Sequence, residues 1–581
     1  MAGQLQSASI AAPGFFGLNT QESGITLESG FALEATNCVI DKFGRLGARK
    51  GWQYLVNTNG INLEGLHRFI DIDGTKQVIV WSATTFYEYT GTALTALTYA
   101  GSQTLTEGNW QAVTLNDAVY FFQRGYEPLY HDTVTNNIKD ISQAATTATV
   151  TIVSQSTTAT VTHSSHGLTT GTSVTFAGAN QSEYNGTFTI TVVDIDTYTY
   201  TLPSSATSPA TGTITATWSH GTAPQGNTAL AAYGRLWVAD TTNVKTTLYW
   251  SNLLDGTDFL NGTAGSLDIS GILVYGNDEI VGLGAHNGFL IVFCKKNIII
   301  FGDTDNNQQY LDPVNLQLVE VISGVGCIAR DSIQNTGTDI LFLSESGLRS
   351  LGRVIQEKST PMRDLSKNIR DDLVQILDAE IPSKIKSVYS EHDAFYLLTF
   401  PTYGKVYCFD ARSVLEDGSA RATIWNNMQF TNWLAFEDNI YMTHANGLAT
   451  YNGYQDNGSS YRLVYFTNYF DLGSSVQTKI LKRLAITIIG ATGQDFVVKS
   501  GFDYSDQYNS YPLQVQIGTV SEYNIAEYNI AEFSGSTLVD NVRIPGSGSG
   551  SVLQLGFEAD LNGGALSIQK MDVYVKQGRT I

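Results

Sequence analysis

The sequence predicts an all-β protein. It reads as a β-propeller of six or seven blades with an inserted Ig-like β-sandwich and a C-terminal β-sandwich. Three observations predict this. Short apolar runs recur along the chain, each opened by a turn. Helical periodicity is confined to one segment. Charged residues make up 15% of the 581 residues, against roughly 25% in ordinary soluble domains. Thr, Ser, Asn, Gly and Tyr fill the difference, and they favour strands and turns.

The runs are Val78–Trp81, Ala118–Phe122, Leu236–Val238, Phe289–Phe293, Ile340–Leu343, Phe395–Leu398 and Ile440–Met442. Turn residues precede each: Asp73-Gly74, Asn116-Asp117, Tyr233-Gly234, Asn287-Gly288, Gly337 to Asp339, Glu391-His392 and Glu437-Asp438. Run starts are spaced 40, 118, 53, 51, 55 and 45 residues apart. A strand–turn–strand unit repeating every ~40–50 residues is the signature of a propeller blade. A single meander cannot bury both its faces, so the units pack on one another.

The anomalous spacing of 118 contains a compositional island, residues 146–218. It has no Lys or Arg and three acids, Glu183, Asp194 and Asp196. Thr147 to Val153 and Thr197 to Leu202 alternate strictly, which is the period of half-buried antiparallel strands. The island therefore reads as a small Ig-like sandwich inserted in a propeller loop. A Thr/Ser spacer would lack that apolar alternation. The expected organisation is an N-terminal arm (1–50), the first part of the propeller (51–145), the insertion (146–218), the second part (219–460) and a β-sandwich (461–581). The one expected helix is Leu365 to Leu377, with Ser366 as its N-cap. Near the C-terminus the pentapeptide Glu522 to Ala526 is duplicated at once as Glu527 to Ala531.

Composition excludes several classes. With 33 basic and 54 acidic residues the net charge is −21, which argues against a protein that wraps DNA through its phosphates. Eight Trp, 30 Tyr and 26 Phe are too many for a disordered chain. No apolar run approaches the ~18 residues of a membrane span, so no membrane anchor is expected, and Met1 to Ala12 lacks the charge and apolar core of a secretory signal. Cys38, Cys294, Cys327 and Cys408 form no CxxC pair. Cys294 and Cys408 sit in apolar runs and read as buried free thiols made in a reducing compartment.

No motif carries catalysis, and neither an enzymatic activity, a cofactor nor a metal is expected. The nearest histidine pair, His163 and His166, sits beside serines and reads as loop. Gly282 to Gly288 leads into a strand, not a helix, so it is no phosphate loop. One basic cluster stands out in an acidic chain: Lys42, Arg45, Arg49 and Lys50. It reads either as an ion-paired turn or as a contact with an acidic partner or DNA phosphate.

Three stretches carry a resemblance. They are Gly17-Leu18-Asn19-Thr20-Gln21-Glu22-Ser23, then Gly30 to Val39 ending on Asn37-Cys38-Val39, then Gly44-Arg45-Leu46-Gly47-Ala48-Arg49-Lys50-Gly51-Trp52. Together they resemble the opening of the tail hub proteins of short-tailed bacteriophages, the nozzle, also called tail tubular protein B or packaged-DNA stabilisation protein. Ile568 to Arg579 is similar to the closing strand of that family, and the tyrosine pentapeptides resemble the segment before it. The resemblance implies a virion tail protein, made in the host cytoplasm and assembled as a homo-hexamer. It would dock on the adaptor ring of the head-to-tail connector, carry tail fibres or spikes, and surround the channel through which genomic DNA leaves. It implies no catalytic residue. Residues 219–460 hold 16 basic and 27 acidic residues, a net of −11, so a bore of acidic and neutral groups is expected. A glycan-binding or glycan-cleaving propeller, of a virion or a cell surface, is the alternative reading. A bacterial surface adhesin would need the secretion signal that is lacking.

Overall fold

The computed structural model describes residues 5–273, 276, 278–303, 311–357, 364–490, 494–514 and 539–580. The duplicated pentapeptide lies outside the described residues. The chain divides into two compact units, residues 65–330, and residues 1–64 with 331–581.

The protein is an all-β propeller, and its blades account for the recurring runs. Residues 65–330 hold four blades, each a four-stranded antiparallel meander: 65–99, 111–140, 226–268 and 280–323. The other unit holds three more: 334–350, with three strands, then 386–426, then 432–451. The seventh is completed by Trp52–Asn57, which pairs with Gly447–Tyr451. Each apolar run is the second strand of its blade and is nearly wholly buried, as in Ile340–Ser344 and Phe395–Phe400. Three of the preceding turns, Asn116-Asp117, Tyr233-Gly234 and Asn287-Gly288, fold tightly because both central residues take positive φ. That twist matches the strands it joins.

Between neighbouring blades the apolar faces interdigitate. Trp81, Phe86 and Phe121 form one such layer, Trp237, Leu290 and Val292 another, and Leu397, Trp425 and Met442 a third. The Trp425 and Tyr451 rings stack with centroids 5.3 Å apart. All four cysteines are buried and free, Cys294 and Cys408 inside these layers.

The insertion is a sandwich of two four-stranded sheets within 145–219. It has its own core of Ile152, Val161, Phe176, Tyr184, Tyr198 and Trp218. His220, at its exit, pins it. One ring nitrogen meets Thr146 Oγ1 at 2.6 Å and the other Thr257 Oγ1 at 2.5 Å.

The N-terminal arm and the C-terminal sandwich, read apart in the sequence, are one folded body. One sheet runs Cys38–Ile40, Leu46–Ala48, Leu566–Thr580, Gln477–Gly490, Val539–Pro545, with Leu5–Ala11 also pairing on Leu566–Thr580. The other continues from the sixth blade through Gly17–Leu18 and Phe31–Thr36 into Tyr461–Thr467, Leu553–Leu561, Asp495–Phe502 and Asn509–Gln514. The pairings are non-local, so no local pattern announces them.

The expected helix starts later than its sequence pattern. Lys367–Ile369 is a 3-10 turn and the α-helix is Arg370–Ala379. Ser366 does not cap it. Its hydroxyl instead accepts from the Leu348 N–H at 3.0 Å, anchoring the segment to the fifth blade. A second short helix, Leu351–Glu357, has no periodic signature of its own.

Two outcomes are expected. Replacing 146–218 by a short linker should leave the melting temperature of the remainder nearly unchanged by calorimetry, because the insertion's core is self-contained; loss of soluble protein would show that it supports the propeller. His67 bonds Thr114 Oγ1 at 2.8 Å between the first two blades, and burial pushes its imidazole down to about 4. The unfolded chain then takes up a proton near pH 6.5 that the folded one refuses. This contribution to stability is complete above pH 6.5 and is lost as pH falls towards 4. In chemical denaturation, His67→Gln should flatten the stability profile over that window.

Candidate functional site

The four basic residues singled out in the sequence separate in the structure. Arg49 is fully buried. Its two terminal nitrogens reach both oxygens of Asp456, at 2.8 and 2.7 Å. Its Nε donates to Asn37 Oδ1 at 3.0 Å, and the guanidinium lies 4.0 Å over the Tyr461 ring. Such a group is not available to a partner or to phosphate, and the contact reading fails for it. Arg45, also buried, donates to Asp41 at 2.6 Å, closing the hairpin turn it belongs to. Lys50 is half-buried, 3.9 Å from Asp393 and over the Tyr451 ring.

Lys42 alone of the four stands out in solvent, beside Phe43. Phe43 is 50% exposed, with the Lys42 ammonium 5.2 Å and the Arg45 guanidinium 4.3 Å from its ring centroid. The hairpin tip thus presents an aromatic ring flanked by cations. That combination suits docking, since aromatic and Arg side chains dominate interface energies.

Asn37 explains the local path. It takes a left-handed φ of 55°, which Asn tolerates. In that conformation its side chain accepts from Arg49 and from the Asn426 N–H, and donates to Arg462 O. Gly51 is fixed by close approach: a Cβ there would lie 1.9 Å from Gln455 O.

Sequence reading missed a second cationic group, in the unit 65–330. The turns after the second strands of the second, third and fourth blades carry Arg124, Lys245, Lys295 and Lys296. Arg124 and Lys245 share the buried carboxylate of Asp240, Lys245 at 3.0 Å. Lys295 pairs with Glu279 at 3.0 Å, whose carboxyl is held below its usual value by Lys295 first, then by Lys245 and Arg124. Lys296 is exposed. The detectable signal was positional, since the cations fall at one place in successive blade repeats.

His163 and His166 lie in a loop, as read. His166 accepts from the Leu168 N–H and contacts Asp194 O, both at 3.0 Å. His220, Asp255 and Asp258 also come together. Both His220 nitrogens are taken by threonine hydroxyls, and Asp258 caps the turn through the N–H groups of Leu260 and Asn261. These groups serve the insertion's attachment.

A cavity of about 290 Å³ opens between the fifth and sixth blades. Leu341, Leu348 and Phe409 line it, with Arg353, Asp410 and Arg412 at its polar edge. Arg412 is held by Asp410 at 2.7 Å, and Arg353 donates to Gly418 O. Its charged groups are therefore occupied in holding the walls.

No protein-family profile matches the chain, and no curated protein does. Among solved structures, the computationally designed Ika8 protein aligns at 10% identity and a TM-score of 0.34, over 69% of this chain and 99% of that one. The endosialidase of phage phi92 aligns at 11% and 0.24, over 92% and 74%. Hsv2 of Kluyveromyces lactis aligns at 12% and 0.27, over 63% and 99%. Likenesses this distant carry no functional argument.

Arg49→Ala should destabilise the protein by about 3–5 kcal/mol in urea denaturation, because it leaves Asp456 enclosed and unpaired. Arg49→Lys should recover little of this, since an ammonium cannot make the two-pronged contact or stack on Tyr461 in the same way. A loss below about 1 kcal/mol for Arg49→Ala would show that the pair is a surface-type contact.

Proposed function

We propose that this protein is the hexameric tail nozzle of a short-tailed phage. It surrounds the DNA exit channel, retains the packaged genome, guides its ejection and anchors fibres or spikes. One observation supports the reading above others. The stretches that carry the resemblance come from opposite ends of the chain, yet they are hydrogen-bonded neighbours: Gly47 pairs with Ser567 and Leu46 with Ile568. A likeness confined to two separate segments thereby becomes a likeness of one structural body.

In this reading the hexamer closes head to tail, joining two different patches of each subunit. The Lys42–Phe43 tip meets the adaptor ring, and the cations of the blade turns meet an acidic partner such as a fibre or spike base. Four free, buried thiols fit synthesis in the host cytoplasm. The acidic balance of 219–460 keeps the duplex off the walls. DNA carries one charge per ~1.7 Å of axis, and repulsion reaches about 8–10 Å at physiological salt, comparable with the gap between a duplex and a narrow bore.

Electron microscopy of the protein, alone and with its adaptor ring, tests the proposal. The expected particle is a six-fold ring with a central hole and a bore that is not net positive. A monomer under both conditions, a ring of twelve, or a monomer that cleaves polysaccharide would refute it.

A further inference from the structure

Large aliphatic side chains stand in solvent at one rim of the unit 65–330, where the turns ahead of the second strands of its first three blades meet. Ile72 is 87% exposed, Leu253 54% and Leu254 57%. Hydrogen bonds join the turns. The Ile72 N–H donates to Asp117 Oδ1 at 2.8 Å, Asn116 Nδ2 donates to Leu254 O at 2.8 Å, and the Leu254 N–H donates to Gly234 O at 2.7 Å. Both leucines lean on the Gly234 turn: a Cβ there would meet their methyl carbons at 3.0 and 3.4 Å. The aliphatic side chains thus sit on one braced ridge.

Leu254 is held in the left-handed region, at φ 58°. A bulky side chain is strained there, and the strain is not repaid by burial, since the side chain faces water. Strain retained at an exposed position points to a use outside the fold.

Carboxylates border the ridge. Asp71 and Asp117 accept from the same Ile72 N–H, at 2.6 and 2.8 Å, so two negative groups are held side by side. Asp117 pushes the Asp71 carboxyl above its usual value. Asp73 follows in the same turn, and Asp255 adjoins Leu254. Across the segments 71–76, 116–117 and 253–255, Lys76 is the one cation against these four acids.

An aliphatic ridge inside an acidic border matches a partner of the reverse charge, with apolar anchors bordered by Lys or Arg. An anionic membrane surface would be repelled. A second copy, with its net charge of −21, is disfavoured in the same way. We propose that the ridge of Ile72, Leu253 and Leu254 docks a basic, aliphatic segment of a different protein, with the leucines as central anchors and the carboxylates as the steering border. The cationic turns after the second strands suit the opposite chemistry, so the two ends of these strands would take different partners.

Fluorescence anisotropy on the full chain tests this with short labelled synthetic peptides: Leu/Lys, Lys/Ser of equal charge, and Leu/Glu. The Leu/Lys peptide should bind saturably, one to a chain, about tenfold or more tighter than Lys/Ser because leucine burial adds to charge, and less tightly as salt rises. Leu/Glu should not bind. Leu254→Gly should weaken Leu/Lys binding about tenfold yet melt no lower than the parent, because glycine takes this φ without strain. A leucine with only a structural role would instead lower the melting temperature. Ile72→Ser, at an almost fully exposed site, should also weaken binding with melting unchanged. Asp73→Asn/Asp117→Asn should lower affinity and flatten its salt dependence. Absent or equal binding of the Leu/Lys and Lys/Ser peptides, unchanged affinity in both Leu254→Gly and Ile72→Ser, or tighter binding to phosphatidylserine vesicles would overturn the proposal. So would self-association in sedimentation that Leu254→Gly abolishes, since a second copy would then occupy the ridge.

Discussion

One buried guanidinium holds the unit built from the two ends of the chain. Arg49 joins the arm to Asp456, beyond the seventh blade, to Asn37, just before the hairpin of Cys38–Ile40 and Leu46–Ala48, and to the ring of Tyr461 where the sandwich begins. Asn37 relays the connection to the sixth blade through Asn426 and to the sandwich through Arg462. A charge this enclosed is tolerable only with every donor satisfied, so the surrounding path is tightly specified. The left-handed Asn37 and the side-chain-free Gly51 are part of that specification.

The same constraint closes the last blade. Trp52–Asn57 leaves the arm one residue after Gly51 and becomes the outer strand against Gly447–Tyr451. A strand from the beginning of the chain thus completes a meander from much later in it. The pairing covers the edge of Gly447–Tyr451 and makes Trp52–Asn57 the edge strand of the seventh blade. The insertion at 145–219 can be accommodated because it brings its own core and is tied by hydroxyl contacts to His220, leaving the blade strands before and after it unaltered.

Much of this was legible in the sequence because it is local. The second strand of every blade is an apolar run behind a turn, and turns such as Asn116-Asp117 or Asn287-Gly288, whose chemistry allows positive φ, announce themselves. The alternation of Thr with Val and Tyr marks the insertion for the same reason. What could not be read depends on distant pairing. The arm looks like an appendage because its partners, Gln477–Gly490 and Leu566–Thr580, lie at the far end of the chain. Arg49 looks like a member of a surface basic cluster because Asp456 and Tyr461 are hundreds of residues away. The late start of the helix at Arg370 follows from Ser366 being drawn to Leu348, a tertiary bond that overrides the cap its sequence suggests.

The central claim is that the arm and the C-terminal sandwich form one cooperative body, on which both the resemblance and the closing of the last blade rest. Native-state hydrogen exchange measures this directly. The amides of Phe31–Thr36 and Leu46–Ala48 should exchange with the same opening free energy as those of Gln477–Gly490 and Leu566–Thr580, and should rise together with them under increasing denaturant. Early, independent exchange of the N-terminal strands, with the C-terminal strands still protected, would contradict the account.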